Sequence, residues 1–284
     1  MEALINTDFK KSPIIVGANG GSGTRIVAQI LLQMGVYMGY EFNKAYDNLL
    51  FTRLFRNPTL LLPENNDEIE KRLHLFQELM CTNTNKISYY KDLIKFSIQN
   101  KYYNPSLVNN IKFYKHTFTR KYKENWGWKA PNSMIYIEYL AKYFPKMKYI
   151  HVIRHGLDMA YSKNTQQLEL WHQLFNITIP ENKEEIPIAQ LEYWIKSNKS
   201  VIEKGKLLLN SNFYLLNYDE LIKNPKEELN KLFDFLCFQI KEEQIENLST
   251  LILKTESVER YKKHDISIFS DAQIKEISNF GFNI

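Results

Sequence analysis

Residues 148–164, KYIHVIRHGLDMAYSKN, constrain the fold more than any other stretch of the chain. A short apolar run, Tyr149 to Ile153, stops at Arg154 and His155, and Asp158 and Ser162 then follow four residues apart, at helical spacing. A buried strand that ends in an arginine and turns into a helix sets a cation at the carboxyl edge of a sheet, where open α/β sheets take their ligands. The planar guanidinium and the N–H groups of a helix start suit a phosphate or a sulfate.

A second strand-to-helix turn lies near the start. Residues 13–16, PIIV, run into Gly17-Ala-Asn-Gly-Gly-Ser-Gly23 and then Thr24 and Arg25, after which Ile26, Val27, Ile30, Leu31 and Met34 recur at helical spacing until Gly35. Gly20, Gly21 and Gly23 let backbone come close to an anion, and Ser22 and Thr24 add hydroxyls at the helix's positive end. Three readings compete. A nucleoside triphosphatase loop needs Gly-Lys-Ser/Thr, and Gly21 stands where the lysine belongs. The spacing of Gly17, Gly21 and Gly23 fits a nicotinamide-dependent reductase, yet Tyr40 and Lys44 form its Tyr–Lys pair far too early in the chain. A tight turn with no ligand is the third.

Between these turns, residues 36–51 carry Glu41, Asn43, Asp47 and Asn48 among aromatics, either as a general base or as helix caps. Residues 52–125 are polar with helical patterning, interrupted at Pro58, Pro63 and Pro105, and read as a helical insertion whose stripe of Leu73, Phe76, Leu79 and Met80 is core. The segment 126–132, WGWKAPN, is strand-like and ends at Lys129, an active-site charge or a solvated surface lysine; a helix, SMIYIEYLAKYF, follows. Beyond Asn164, Trp171, His172, Pro180 and Pro187 suit an acceptor-side flap. A long helix around 191–202, a strand at 213–218 and a helix from 226 to 237 come next, and a last helix is capped near Ser270. The cluster Arg260, Lys262, Lys263 and His264 is a solvated face or a phosphate clamp.

The 284 residues suffice for a single α/β domain, 1–284. With 37 basic and 32 acidic side chains the net charge of +5 suits an anionic ligand and is too small to demand nucleic acid. Only Cys81 and Cys237 are present, which points away from a disulfide framework or metal cluster and toward a reducing, cytoplasmic setting. No window approaches 18 apolar residues, so no membrane span is expected.

Taken together, the glycine loop, the strand-end lysine, the arginine and serine after the third strand and the late Tyr-Asp-Glu-Leu resemble the sulfotransferases that use 3′-phosphoadenosine 5′-phosphosulfate. In that family a loop ending Ser-Gly-Thr, matched by Ser22, Gly23 and Thr24, cradles the 5′-phosphosulfate. An Arg followed eight residues later by Ser, with an Asp between, holds the 3′-phosphate and is matched by Arg154, Asp158 and Ser162. Lys129 before Pro131, and Tyr218 to Leu221 with Asn224-Pro225, match the intervening and late strands. The likeness leaves 52–125 and 165–190 unmatched. It implies a three-layer, P-loop NTPase-like fold with a central, mainly parallel sheet and a helical insertion.

Two departures stand out. Many members carry Lys or Arg immediately before Ser-Gly-Thr, and this chain has Gly21, so Arg25 or Lys129 must supply that charge. The catalytic His that cytosolic small-molecule members place two residues after the lysine is absent, since the chain reads Lys129-Ala130-Pro131. The pattern is nearer to bacterial carbohydrate-type or uncharacterised members, where a carboxylate near the first helix serves. The resemblance then implies a sulfonucleotide donor, a hydroxyl acceptor of carbohydrate type, no metal, Asp47 or Glu41 as base before His155 or His172, and Gly20 to Arg25, Arg154, Ser162, Arg260 and Lys262 around the donor. A nucleotide kinase, a non-catalytic polyanion-binding module and a nicotinamide-dependent reductase remain the alternatives.

Overall fold

The computed structural model describes residues 12–82, 87–103 and 125–284. Strands β1 (Ile14–Ala18), β2 (Gly127–Lys129), β3 (Lys148–Ile153) and β4 (Phe213–Asn217) form a sheet in the order β2-β1-β3-β4. It is a parallel sheet flanked by helices, the α/β class expected from the four apolar runs. Strands β1 and β3 are buried along nearly their whole length, which is why they read as continuous apolar runs and not as alternating ones. The parallel register pairs Ile14 with Gly127, Ile15 with Trp128 and Val16 with Lys129.

The helices are α1 (Thr24–Gln33), α2 (Leu49–Phe55), α3 (Asn66–Cys81), α4 (Ile87–Gln99), α5 (Ile137–Tyr143), α6 (Gly156–Ala160), α7 (Gln166–Trp171), α8 (Ile186–Leu209), α9 (Tyr218–Lys223), α10 (Pro225–Leu236), α11 (Glu242–Ser249) and α12 (Asp271–Asn279). By internal packing the chain divides into two units, residues 1–17 with 27–149 and residues 18–26 with 150–284.

The first unit is organised by aromatic packing. Phe51 on α2 stacks on Phe55 at 4.6 Å and on Trp128 at 5.4 Å, while Phe76 on α3 meets Trp128 edge-on at 4.9 Å. Trp126 and Trp128, two residues apart, share one face of the strand, and both pack against Phe144. They are 1% and 0% exposed, so both seal the core and neither offers a face to an acceptor. Arg72 is buried in the same unit, where it donates to Leu54 O at 2.7 Å, pairs with Glu68 and covers the Phe96 ring. Helices α2, α3 and α4 fill the described part of the expected insertion, and Pro58 and Pro63 each open a short 3-10 turn. The break expected at Pro105 lies outside the described residues. The helix expected after Pro131 starts as a 3-10 turn, Pro131–Tyr136, and becomes α-helical only at Ile137.

In the second unit the 24-residue α8 is the main packing element, burying Leu191, Trp194, Ile195 and Val201. Trp194 packs edge-on against Phe280 at 4.9 Å and Phe282 at 6.1 Å. The expected flap around Trp171 is instead a helix, α7, and Trp171 is 0% exposed, a core residue. Helix α12 begins at Ser270 with a capping box, as its sequence requires.

Candidate functional site

The glycine loop belongs to the second unit. Gly21 and Gly23 have φ of +99° and +88°, left-handed conformations that glycine adopts without steric cost. A Cβ on Gly23 would come within 2.1 Å of the Tyr218 ring at the end of β4. The loop is pinned from below by Asn19, 3% exposed, whose amide donates to Ser197 on α8 at 3.1 Å and whose carbonyl accepts the Ser22 N–H at 3.2 Å. Ser22 and Thr24 are buried, at 1% and 3%, and Thr24 is the first residue of α1, so the helix's positive end meets the loop. The Gly20 N–H donates to the Gln167 side-chain oxygen on α7 at 2.5 Å. Gly21 is exposed, and Arg25 is exposed on the first turn of α1.

Arg154, 3% exposed, reaches this loop from the end of β3. Its Nη1 donates to Gly21 O at 3.3 Å and Ser257 Oγ at 3.1 Å, and its Nη2 to Asp158 at 3.0 Å and to Ser257 O. The guanidinium also lies over the Tyr218 ring, 5.2 Å from its centroid. Arg154 Nε is buried with no hydrogen-bond partner among the described residues, an orphaned donor of the kind an anion satisfies. Ser162 lies just past α6 and not on it; it is 9% exposed, and its Oγ accepts the Asn164 N–H at 3.2 Å. The Ser162 Oγ stands 3.7 Å from where a Cβ on Gly21 would be, so it shares the loop's neighbourhood.

Asp158 has a second task. Fully buried, it accepts the Glu259 N–H at 2.9 Å and the Tyr261 N–H at 3.3 Å, and so it fastens residues 257–261 beside Arg154. That brings half-buried Arg260 to the site, its Nε donating to Ser257 O at 3.1 Å. Burial and the neighbouring Arg154 charge both lower the Arg260 pKa, with Asp158 opposing in part. Lys262 is exposed and pairs with Glu259, which a second lysine, Lys254, also holds.

The histidines are committed to structure. His155 caps α6, with Nδ1 accepting the Leu157 N–H at 3.2 Å and Nε2 donating to Asn283 O at 2.9 Å, and its ring stacks on Tyr261 at 4.6 Å. Its own N–H goes to Asp219 at 2.9 Å, where burial raises the carboxyl's pKa while that hydrogen bond and Arg154 pull it back. His172 Nδ1 is bonded to Ile177 O at 2.7 Å.

The first unit holds the other candidates. Lys129, 2% exposed, ends β2 in register with Val16, one residue before the glycine loop begins. Its ammonium donates to Ala45 O at 3.0 Å and to the Asp47 carboxylate. Asp47 also accepts from the Asn43 amide at 2.7 Å. The Asn48 N–H donates to Lys129 O at 2.8 Å, tying the loop to the strand end. Asn48 and not Asn43 or Asp47 caps α2, accepting the Phe51 N–H at 2.8 Å. Glu41 is half-buried on the same return, where Phe42 pairs with Asn48 and Glu41 O accepts the Leu49 N–H at 3.1 Å.

Sequence reasoning names Lys129, Asp47, Arg154, Ser162 and Arg260 separately; the structure pairs Lys129 with Asp47 and gathers Arg154 and Arg260 at Ser257. Sequence reasoning misses Asn19, Gln167, Ser257 and the clamp made by Asn43. Asn19 lies inside the glycine run and Asn43 four residues before Asp47, so both had a local signal; Gln167 and Ser257 are brought in by tertiary structure alone. Among the described residues no group of three or more His, Cys, Asp or Glu side chains could hold a metal ion, and no helix is long and apolar enough to cross a membrane.

The chain is similar in sequence and in fold to known proteins. A curated relative, an uncharacterized protein of Aquifex aeolicus (strain VF5), is 23% identical over 136 residues, 48% of this chain and 17% of the relative's length. The fold is shared with the sulfotransferase domain of the Synechococcus PCC 7002 olefin synthase, at a TM-score of 0.51 and 15% identity, covering 96% of each chain. It is also shared with sulfotransferase STF9 from Mycobacterium avium, at a TM-score of 0.50 and 12% identity over 96% of this chain and 77% of that one. The profile described as the sulfotransferase family matches residues 13–242, most of the sequence, and the chain therefore belongs to that family.

Proposed function

We propose that the protein transfers a sulfuryl group from 3′-phosphoadenosine 5′-phosphosulfate to an acceptor hydroxyl, in the cytoplasm, with a carbohydrate as the acceptor class. The observation that carries this reading is the buried Arg154, whose Nε lacks a partner among the described residues and whose Nη1 touches the Gly21 carbonyl. A cation so placed joins the two anion seats of the second unit, the loop 20–24 and the cluster of Arg154, Ser162 and Arg260. A donor with phosphates at both ends matches that pair.

The donor supplies a sulfuryl group that moves in line to the acceptor oxygen and leaves charge on a bridging phosphate oxygen. Backbone N–H groups of 20–24 and the α1 terminus stabilise that charge where it develops. Arg154, Ser162 and Arg260 fix the far end, so that binding there becomes alignment at the reacting end. Lys262, tied to Glu259 at the surface, is the weakest member of the cluster and contributes long-range attraction.

Asp47 is the base in this scheme, ahead of Glu41, because its carboxylate meets the buried Lys129 ammonium. Lys129 is committed to Asp47 and Ala45 O, which favours a role beside the base over one at the leaving oxygen. Phe42 and Tyr46, with ring centroids 5.9 Å apart, offer aromatic faces next to Asp47 for a sugar. No step is routed through a metal.

The test is incubation of the protein with labelled sulfonucleotide and a panel of saccharides, phenols and aliphatic alcohols. Label appearing in any acceptor supports transfer, and label in a saccharide supports the acceptor class. Tight polyanion binding with no turnover and no preference for a 3′,5′-bisphosphate nucleotide replaces this reading with that of a binding module.

A further inference from the structure

Residues 43–47 close on themselves around one side chain. Asn43 Oδ1 accepts the Ala45 N–H at 2.8 Å and the Asp47 N–H at 2.9 Å, while Asn43 Nδ2 donates to Asp47 Oδ2 at 2.7 Å. The backbone adds Tyr46 N–H to Asn43 O at 3.0 Å and Asn43 N–H to Asp47 O at 3.3 Å. The loop thereby turns the Ala45 carbonyl and the other Asp47 oxygen onto the Lys129 ammonium. Tyr46 is held with φ of +62°, a conformation that a bulky side chain adopts only where its surroundings impose it.

We infer that Asn43 is a positioning residue for sulfuryl transfer: it divides the two oxygens of Asp47, taking one itself and leaving the other to Lys129, so that the base is aimed. This rests on the assignment of Asp47 as base above. Asn43 is exposed, so burial of its side chain does not account for a clamp this complete. A carboxylate that accepts from an amide and an ammonium at once is fixed in rotation. The charged groups that face Asp47 across these bonds are thus Lys129 from β2, with neutral Asn43 from its own loop.

Two substitutions separate aiming from loop folding. Asn43→Asp keeps an oxygen to accept the Ala45 and Asp47 N–H groups but removes the donor to Asp47; Asn43→Ala removes both. We expect each to lower kcat by at least about tenfold, the effect of losing a hydrogen bond to a charged group at the reacting centre, with KM for the sulfonucleotide and affinity for its bisphosphate product unchanged. Full kcat in Asn43→Asp overturns the inference, because it shows that only the turn matters. In urea unfolding at neutral pH, Asn43→Asp should cost less in an Asp47→Asn background than alone, since it sets two carboxylates side by side. Strict additivity overturns the contact itself. If Asp47→Asn is fully active, the assignment of the base falls and this inference with it. If Asp47→Asn is inactive while Asn43→Asp is not, this inference falls alone.

Discussion

The Gly20 N–H and the Gln167 side-chain oxygen are hydrogen-bonded at 2.5 Å, so an amide of the anion loop is already met by an oxygen from α7. An acceptor at that point occupies the place that an oxygen of a bound phosphosulfate would take. Gln167→Glu puts a negative charge there, and affinity for a 3′,5′-bisphosphate nucleotide should fall at least about tenfold from like-charge repulsion. Gln167→Ala should bind as tightly as the parent or tighter. Calorimetry decides, and equal affinity in Gln167→Glu means that the anion does not reach Gly20.

Arg154→Ala removes a buried cation that bonds both the Gly21 carbonyl and the 257–261 segment. Bisphosphate nucleotide affinity should drop more than about tenfold through loss of a charge-assisted contact. The loosened segment should also become a new site of limited proteolysis, a readout independent of nucleotide.

Asp47→Asn keeps the size of the side chain but leaves one acceptor oxygen where the carboxylate offers two, and it removes the proposed base. Nucleotide binding should be retained and kcat should fall at least about a hundredfold, the usual size of a general-base contribution. Stopped labelling assays at saturating donor measure this directly. An active variant moves the proton acceptor to Glu41.

His151 makes stability depend on pH. It is 0% exposed on β3, its Nε2 is bonded to Asn198 at 2.8 Å, and burial holds its pKa down at about 4 against an ordinary 6.5, with the Asn198 bond opposing in part. The unfolded chain therefore takes up a proton below pH 6.5 that the folded chain refuses until about pH 4. Stability contributed by neutral His151 is complete above 6.5 and declines as the pH falls, by about 3 kcal/mol at pH 4. Urea midpoints across this range should slope less in His151→Gln than in the parent.

The four strands were legible because each is an apolar run bounded by turn residues, and Lys129 and Arg154 were legible as the charges that stop two of those runs. The Lys129–Asp47 pair was readable only as two candidates: 82 residues separate them, and the loop that joins them depends on Asn43, a residue equally at home in a cap. Trp126, Trp128 and Trp171 could not be placed from the sequence, for a physical reason. A tryptophan beside a charged residue reads alike whether it lines a cleft or seals a core, and burial is settled by Phe51, Phe76 and Phe144, which lie elsewhere in sequence. Ser257 and Gln167 left no mark at all, since their roles come from Asp158 and α7 carrying them to the loop.

The fit of the Tyr218 ring against Gly23 has a bearing on how such a chain can diverge. A descendant that gains any side chain at 23 must already have given up the ring at 218, and no single step makes both changes. The two positions, 195 residues apart in the numbering, therefore inherit as a pair, and an alignment of relatives should show them varying together or not at all.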